Sequence, residues 1–166
     1  MREGRREFLS QFPGAASADG REALEDPGAE VTFRRSTLDW TECTQGNAAL
    51  RLHRDLLALR REDPVIRGQG CDGFDGAVLG EKAFLLRWFH AGEGDRLLLV
   101  NLGSDIRGQS LPEPLLAAPS GRSWSPIWCS EHARYGGSGS VDPDAAQGWR
   151  LPGQCAILLV ALPEPA

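Results

Sequence analysis

The sequence predicts a mainly β protein: a C-terminal antiparallel β-sandwich with Greek-key-like connections, preceded by an irregular arm and one amphipathic α-helix. Three observations predict it. From residue 68 onward, short apolar runs are separated by Gly, Pro and Asp turn residues with no helix-length segment between them, the pattern of packed antiparallel sheets. Residues 48–63 repeat leucine at the helical period. Residues 1–46 keep neither period. The chain therefore divides into 1–46, 47–67 and 68–166. Its 166 residues suit one domain with an appendage and are too few for a (β/α)8 barrel, which takes about 250.

In the arm, residues 14–20 form a small-residue stretch expected to be flexible, and Asp26-Pro27-Gly28 is a turn signal. Thr32-Phe33-Arg34-Arg35-Ser36 and Leu38-Asp39-Trp40 then place large apolar groups without a strand or helix period. Such a segment is expected to wrap over something larger.

The helix has clear ends. Asn47 can cap the first turn, and Pro64 drives Asp63 out of the α region. At 100° per residue, Leu59, Leu52, Leu56, Ala49, Leu57 and Leu50 fall within roughly 180°, against the stripe of about 100° that an ordinary surface helix needs. Arg61, Arg54, Arg51 and Asp55 take the other side. A helix so patterned is expected to be pressed between two bodies, and Leu50, Leu52, Leu56, Leu57 and Leu59 are its candidate docking residues. His53 and Arg60 fall inside the apolar arc; His53 reads as a hydrogen-bonded interfacial histidine, since no nucleophile is spaced to work with it.

The strands follow. Turn residues Gly68, Gly70, Asp72-Gly73 and Asp75-Gly76 lead into Ala77-Val78-Leu79. Residues 83–89 and 96–102 flank the turn Ala91-Gly92-Glu93-Gly94-Asp95 and predict a hairpin, with apolar side chains on both faces and hence burial on both sides. Further strands are expected at 123–129, 149–151 and 155–162, while Pro112, Pro114 and Pro119 keep 111–120 out of a central strand.

Several function classes are excluded. With 18 Lys+Arg against 23 Asp+Glu, the net charge of −5 offers no attraction to nucleic acid or an anionic membrane. The charged N-terminus lacks a secretory apolar run, and the longest apolar stretch, 156–163, is far short of the roughly 20 residues of a membrane span. The chain is expected to be soluble and cytoplasmic. Cys43, Cys71, Cys129 and Cys155 contain no CxxC pair, so no zinc site is expected, and the thiols read as free and mostly buried. Gly136-Gly137-Ser138-Gly139 has no following Lys and reads as a loop, and no GxSxG elbow or HExxH occurs. His90 and His132 lie in expected turns and read as solvated. No catalytic residue, metal site or cofactor site emerges. Of the five tryptophans, Trp88, Trp124 and Trp128 are assigned to the interior, and only Trp40 is a candidate platform for stacking a glucan ring.

One resemblance organises these residues. Arg2-Glu3-Gly4-Arg5-Arg6-Glu7-Phe8, Asp26-Pro27, Thr32-Phe33-Arg34-Arg35-Ser36-Thr37-Leu38-Asp39-Trp40, Leu52-His53-Arg54-Asp55-Leu56-Leu57-Ala58-Leu59-Arg60-Arg61, Leu97-Leu98-Leu99-Val100-Asn101-Leu102-Gly103, Arg134-Tyr135-Gly136-Gly137 and Trp149-Arg150-Leu151-Pro152-Gly153 together resemble the C-terminal part of the malto-oligosyltrehalose trehalohydrolase family. These are α-amylase-like glycoside hydrolases. The resemblance implies that the helix is the last helix of a catalytic barrel whose catalytic carboxylates lie outside this chain. It implies an accessory β domain, inactive alone, of an enzyme that cuts the α-1,4 bond releasing trehalose from maltooligosyl trehalose. Met1 stands where the family pattern favours an aliphatic residue, as an internal start would leave it. The partners implied are the missing barrel and an α-glucan or maltooligosyl trehalose; without a barrel the uncovered leucines of the helix are expected to drive self-association, and a free-standing glucan-binding module and a subunit complementing a separate barrel are the alternatives.

Overall fold

The computed structural model describes residues 2–17, 26, 28–43, 46–68, 73–109, 111–139 and 148–164. It forms two compact units, Met1–Gln45 and Gly46–Ala166.

Where the sequence reading expects an irregular arm, the first unit holds short helical turns: Arg2–Leu9, Pro13–Ala16, Glu30–Arg35 and the 3₁₀ turn Trp40–Cys43. The stretch expected to be flexible begins in the second of these, and 18–20 lie outside the described residues. Local devices make these turns. Asp26 accepts from the Gly28 amide at 2.9 Å, fixing the expected turn, and Glu30 pairs with Arg34 one turn on at 2.7 Å. Neither Glu30–Arg35 nor Trp40–Cys43 has a buried residue. Phe8, Phe12, Val31, Phe33, Leu38 and Trp40 are all exposed, which is why no apolar period announced these turns.

The second unit opens with the helix Ala48–Glu62. The Asn47 side chain accepts from the Ala49 amide at 2.8 Å, the cap the sequence predicts. Asp63 leaves the helix in an extended conformation ahead of Pro64, and its carboxylate caps the turn Pro64–Arg67 through the amides of Val65 and Ile66, each at 3.0 Å.

Among the described residues seven strands follow: β1 Phe74–Gly80, β2 Ala83–Trp88, β3 Arg96–Asn101, β4 Ile106–Gln109, β5 Arg122–Cys129, β6 Trp149–Leu151 and β7 Cys155–Pro163. They pair antiparallel in a five-stranded sheet ordered β1-β2-β3-β7-β5 and a two-stranded sheet β4-β6. β5 is an edge strand, so it tolerates Pro126 beside its bulge. Gly94 must be glycine: its φ is +77°, and a Cβ there would stand 2.5 Å from the Ala161 carbonyl.

The core lies between the two sheets. Leu85, Leu97, Leu99, Cys129, Cys155, Ile157 and Leu159 of the larger sheet pack with Leu151 of the smaller one and with Leu116. β7 is buried on both faces, with Leu158 and Val160 covered as well, but the two-sided burial expected of the 83–89/96–102 hairpin is not met. Phe84, Leu86, Leu98 and Val100, on the face of β2 and β3 away from the core, are only half-buried. The tryptophans assigned to the interior are half-buried as well. Trp124 packs on the core and donates from Nε1 to the Leu116 carbonyl at 2.8 Å, and Trp88 lies 5.3 Å from the Phe74 ring.

One charge pair is built into this body. Arg87 donates to Asp95 at 2.7 Å with both side chains buried. The same guanidinium donates to the carbonyls of Leu115 and Ala117 and lies over the rings of Phe89 and Trp124. With its donors matched, the cation is a structural tie between β2 and the segment before β5.

Candidate functional site

The long helix is the place to look for a site, because part of its wide apolar arc stays uncovered beside a closed core. None of its residues is buried. Two polar attachments hold it to the β body. At its C-terminal end, Arg96 of β3 donates from Nε to Asp63 at 2.8 Å, with both side chains about as buried as core residues, and its Nη1 reaches the carbonyls of Glu93 and Gly94. Nearer the N-terminus, Asp55 accepts from the Tyr135 hydroxyl in a short hydrogen bond and pairs with Arg134 at 3.2 Å. Arg51 adds a donation to the Arg134 carbonyl at 3.3 Å and another to the Gly46 carbonyl. Burial, and after it the Asp55 carboxylate, pushes the Tyr135 hydroxyl above its ordinary pKa, so it stays a donor.

These attachments divide the apolar arc. Leu52 and Leu59 share the side of Asp55 and are half-buried, as is Leu50. Leu56 and Leu57 are exposed, at 40% and 52%. Ala49, His53 and Arg60, between or beside them on the wheel, are exposed too. His53 donates from Nδ1 to the Ala49 carbonyl at 2.7 Å, a bond within its own helix. The open side is therefore a strip that mixes the exposed Leu56 and Leu57 with His53 and Arg60.

The other candidate, Trp40, is 71% exposed at the head of its 3₁₀ turn. Beside it Asp39 accepts from the Thr41 hydroxyl at 2.7 Å and its amide at 2.9 Å, bonds that hold the carboxyl below its usual pKa. His90 and His132 are exposed, each accepting a backbone amide through Nδ1. Cys129 and Cys155 are buried with their sulfurs 3.9 Å apart, and burial pushes the Cys155 thiol up to about 12. Cys43 is exposed, and Cys71 lies outside the described residues. Among the described residues no group of three or more His, Cys, Asp or Glu could hold a metal ion, and no helix is long and apolar enough to cross a membrane.

Sequence reasoning missed the residues that orient the helix: Arg51, Asp63, Arg96, Arg134 and Tyr135. The one available signal was Asp63 ahead of Pro64, a helix-start pattern.

Residues 71–158 match a family model described as a domain of unknown function, DUF3459. The chain belongs to the DUF3459 family. Three curated malto-oligosyltrehalose trehalohydrolases are similar to it. The one from Deinococcus radiodurans is 39% identical over 133 residues, covering 72% of this chain and 20% of the relative. Those from Brevibacterium helvolum and a Rhizobium species are 39% and 35% identical over 81 residues, covering 39% of this chain and 14% of each relative. This DUF3459 chain thus spans a fifth or less of the curated relatives it matches, and the resemblance to a part of that enzyme is borne out.

Proposed function

We propose that this chain is the accessory β module of a trehalose-releasing, α-amylase-like glycosidase of the cytoplasm, inactive as it stands, whose role is to cover and stabilise a catalytic body. One observation carries the reading. A helix held to its β body by Asp55 and Asp63 leaves Leu56 and Leu57 exposed, in a chain matching a fifth of a much larger trehalohydrolase. Apolar side chains arrayed along one side of a helix mark an interaction surface. The whole enzyme would hydrolyse the α-1,4 bond that joins trehalose to the malto-oligosaccharide. The isolated chain, incubated with maltooligosyl trehalose, should release no trehalose; measurable turnover would overthrow the reading.

A second reading is favoured by the exposure of Trp40: a free-standing α-glucan-binding module. It requires retention on amylose, or a calorimetric signal with maltoheptaose, that Trp40→Ala abolishes.

A further inference from the structure

The open side of the helix carries charge as well as leucine. Arg54, Arg60 and Arg61 are exposed, and among the described residues none of them makes a hydrogen bond or ion pair. On the helical wheel Arg60 falls between Ala49 and His53, within the strip, and Arg61 and Arg54 border it beyond Leu50. No carboxylate shares that side. Asp55 is taken by Tyr135 and Arg134, Asp63 by Arg96, and Glu62 lies on the wheel beside Asp55. Arginines in a last turn complement the helix dipole on any side, which does not account for Arg54.

Charge decides between occupants. A second copy packed across a two-fold axis would meet this patch with the same patch. Three guanidinium groups would then be buried with no anion to receive them, which is unfavourable. We infer that the strip docks on a different protein surface, one with an apolar centre for Leu56 and Leu57 and carboxylates placed to receive Arg54, Arg60 and Arg61. This rests on the accessory-module reading and supplies the chemistry of the surface that the module fits: an acidic-bordered apolar face of the catalytic body.

The probe is a chimera in which this chain replaces the matching part of the Deinococcus radiodurans relative. Its thermal midpoint is compared with that of an Arg54→Glu/Arg60→Glu/Arg61→Glu chimera and a Leu56→Gln/Leu57→Gln chimera, at low and high salt. Charge reversal should lower the chimera's midpoint by several degrees at low salt, with the deficit shrinking as salt screens it. The same reversal should lower the isolated chain's midpoint by clearly less than it lowers the chimera's, because there only the helix dipole opposes it. A chimera that the reversal leaves unchanged while the glutamines lower its midpoint overturns the charge inference alone. A chimera that neither variant affects, or that melts in two independent transitions, overturns the accessory-module reading with it. Sedimentation of the isolated chain needs no chimera. A monomer, or an association that Leu57→Asp leaves intact, supports the unlike partner; a dimer that Leu57→Asp dissolves overturns it.

Discussion

The same residue type meets opposite fates in the β body and on the helix that precedes it. Leu85, Leu97 and Leu159 show no exposed surface, whereas Leu56 and Leu57 keep 40% and 52% of theirs. The sheet closes on itself because alternation sends every second side chain of β2, β3 and β7 to one face, where Leu151 and Leu116 complete the enclosure. The helix makes no such closure. Its ties are ionic and lie at Asp55 and Asp63, so its position is fixed while much of its apolar arc stays open. Burial thus tells which leucines build the core of this fold.

The contrast is broken most forcefully from the sheet side. Leu99→Ala removes a side chain 1% exposed at the centre of the core, and a large-to-small change there should cost about 4 kcal/mol, read from the shift in urea unfolding midpoint. A loss below about 1 kcal/mol would mean the two sheets do not enclose a packed core. Next in size is Arg96→Met, which strands the buried Asp63 carboxylate. Asp63 keeps two backbone amides as donors, so the cost should be about 3 kcal/mol, at the low end for a broken buried pair. Asp63→Asn in the same background should recover part of it, because the uncompensated charge is gone.

Much of this fold was legible in the sequence. The runs at 83–89, 96–102, 123–129 and 155–162 became strands within a residue or two of their expected ends, since each concentrates apolar residues between Gly and Pro turns. β4 was not expected: Ile106-Arg107-Gly108-Gln109 has a single large apolar side chain, and its pairing with Leu151 is set from across the molecule. Arg87 could not be read as interior, because its charge is matched by Asp95, eight residues on in what reads as a turn. For the helix, the wide apolar arc was visible in the wheel, but which part of it stays open was not. That is decided by pairs 80 and 33 residues apart in the chain, Asp55 with Tyr135 and Asp63 with Arg96, and no local pattern encodes them.

A smaller effect is expected where the helix meets the 133–135 turn. Tyr135→Phe deletes the donor to Asp55 and should cost about 1 kcal/mol near neutral pH. The pH dependence reports the burial of this hydroxyl together with its bond to Asp55. Folding raises the pKa of the Tyr135 hydroxyl above 10.0, so the folded state holds that proton more tightly than the unfolded chain does. Its contribution is complete below the unfolded pKa and falls away as pH rises beyond it. The wild-type chain should therefore lose stability above pH ~10 more steeply than the Phe variant; parallel alkaline limbs would show that the hydroxyl is neither buried nor joined to Asp55.

The smallest expected effect is the most diagnostic for the helix. Leu57→Gln exchanges residues of nearly equal helix propensity, at a side chain 52% exposed. Within the isolated chain it should move stability by no more than about 0.5 kcal/mol in either direction, the range of ordinary surface changes. Leu56→Gln, at 40% exposure, should behave alike. If instead Leu57→Gln destabilised the isolated chain about as much as Leu99→Ala, the strip would have to be covered by the chain's own residues. The distinction between a closed body and an adhesive helix would then disappear. A near-zero effect in the chain alone, beside a clear loss once the helix is joined to a larger catalytic body, is the pattern that only an intermolecular or interdomain role for these leucines produces.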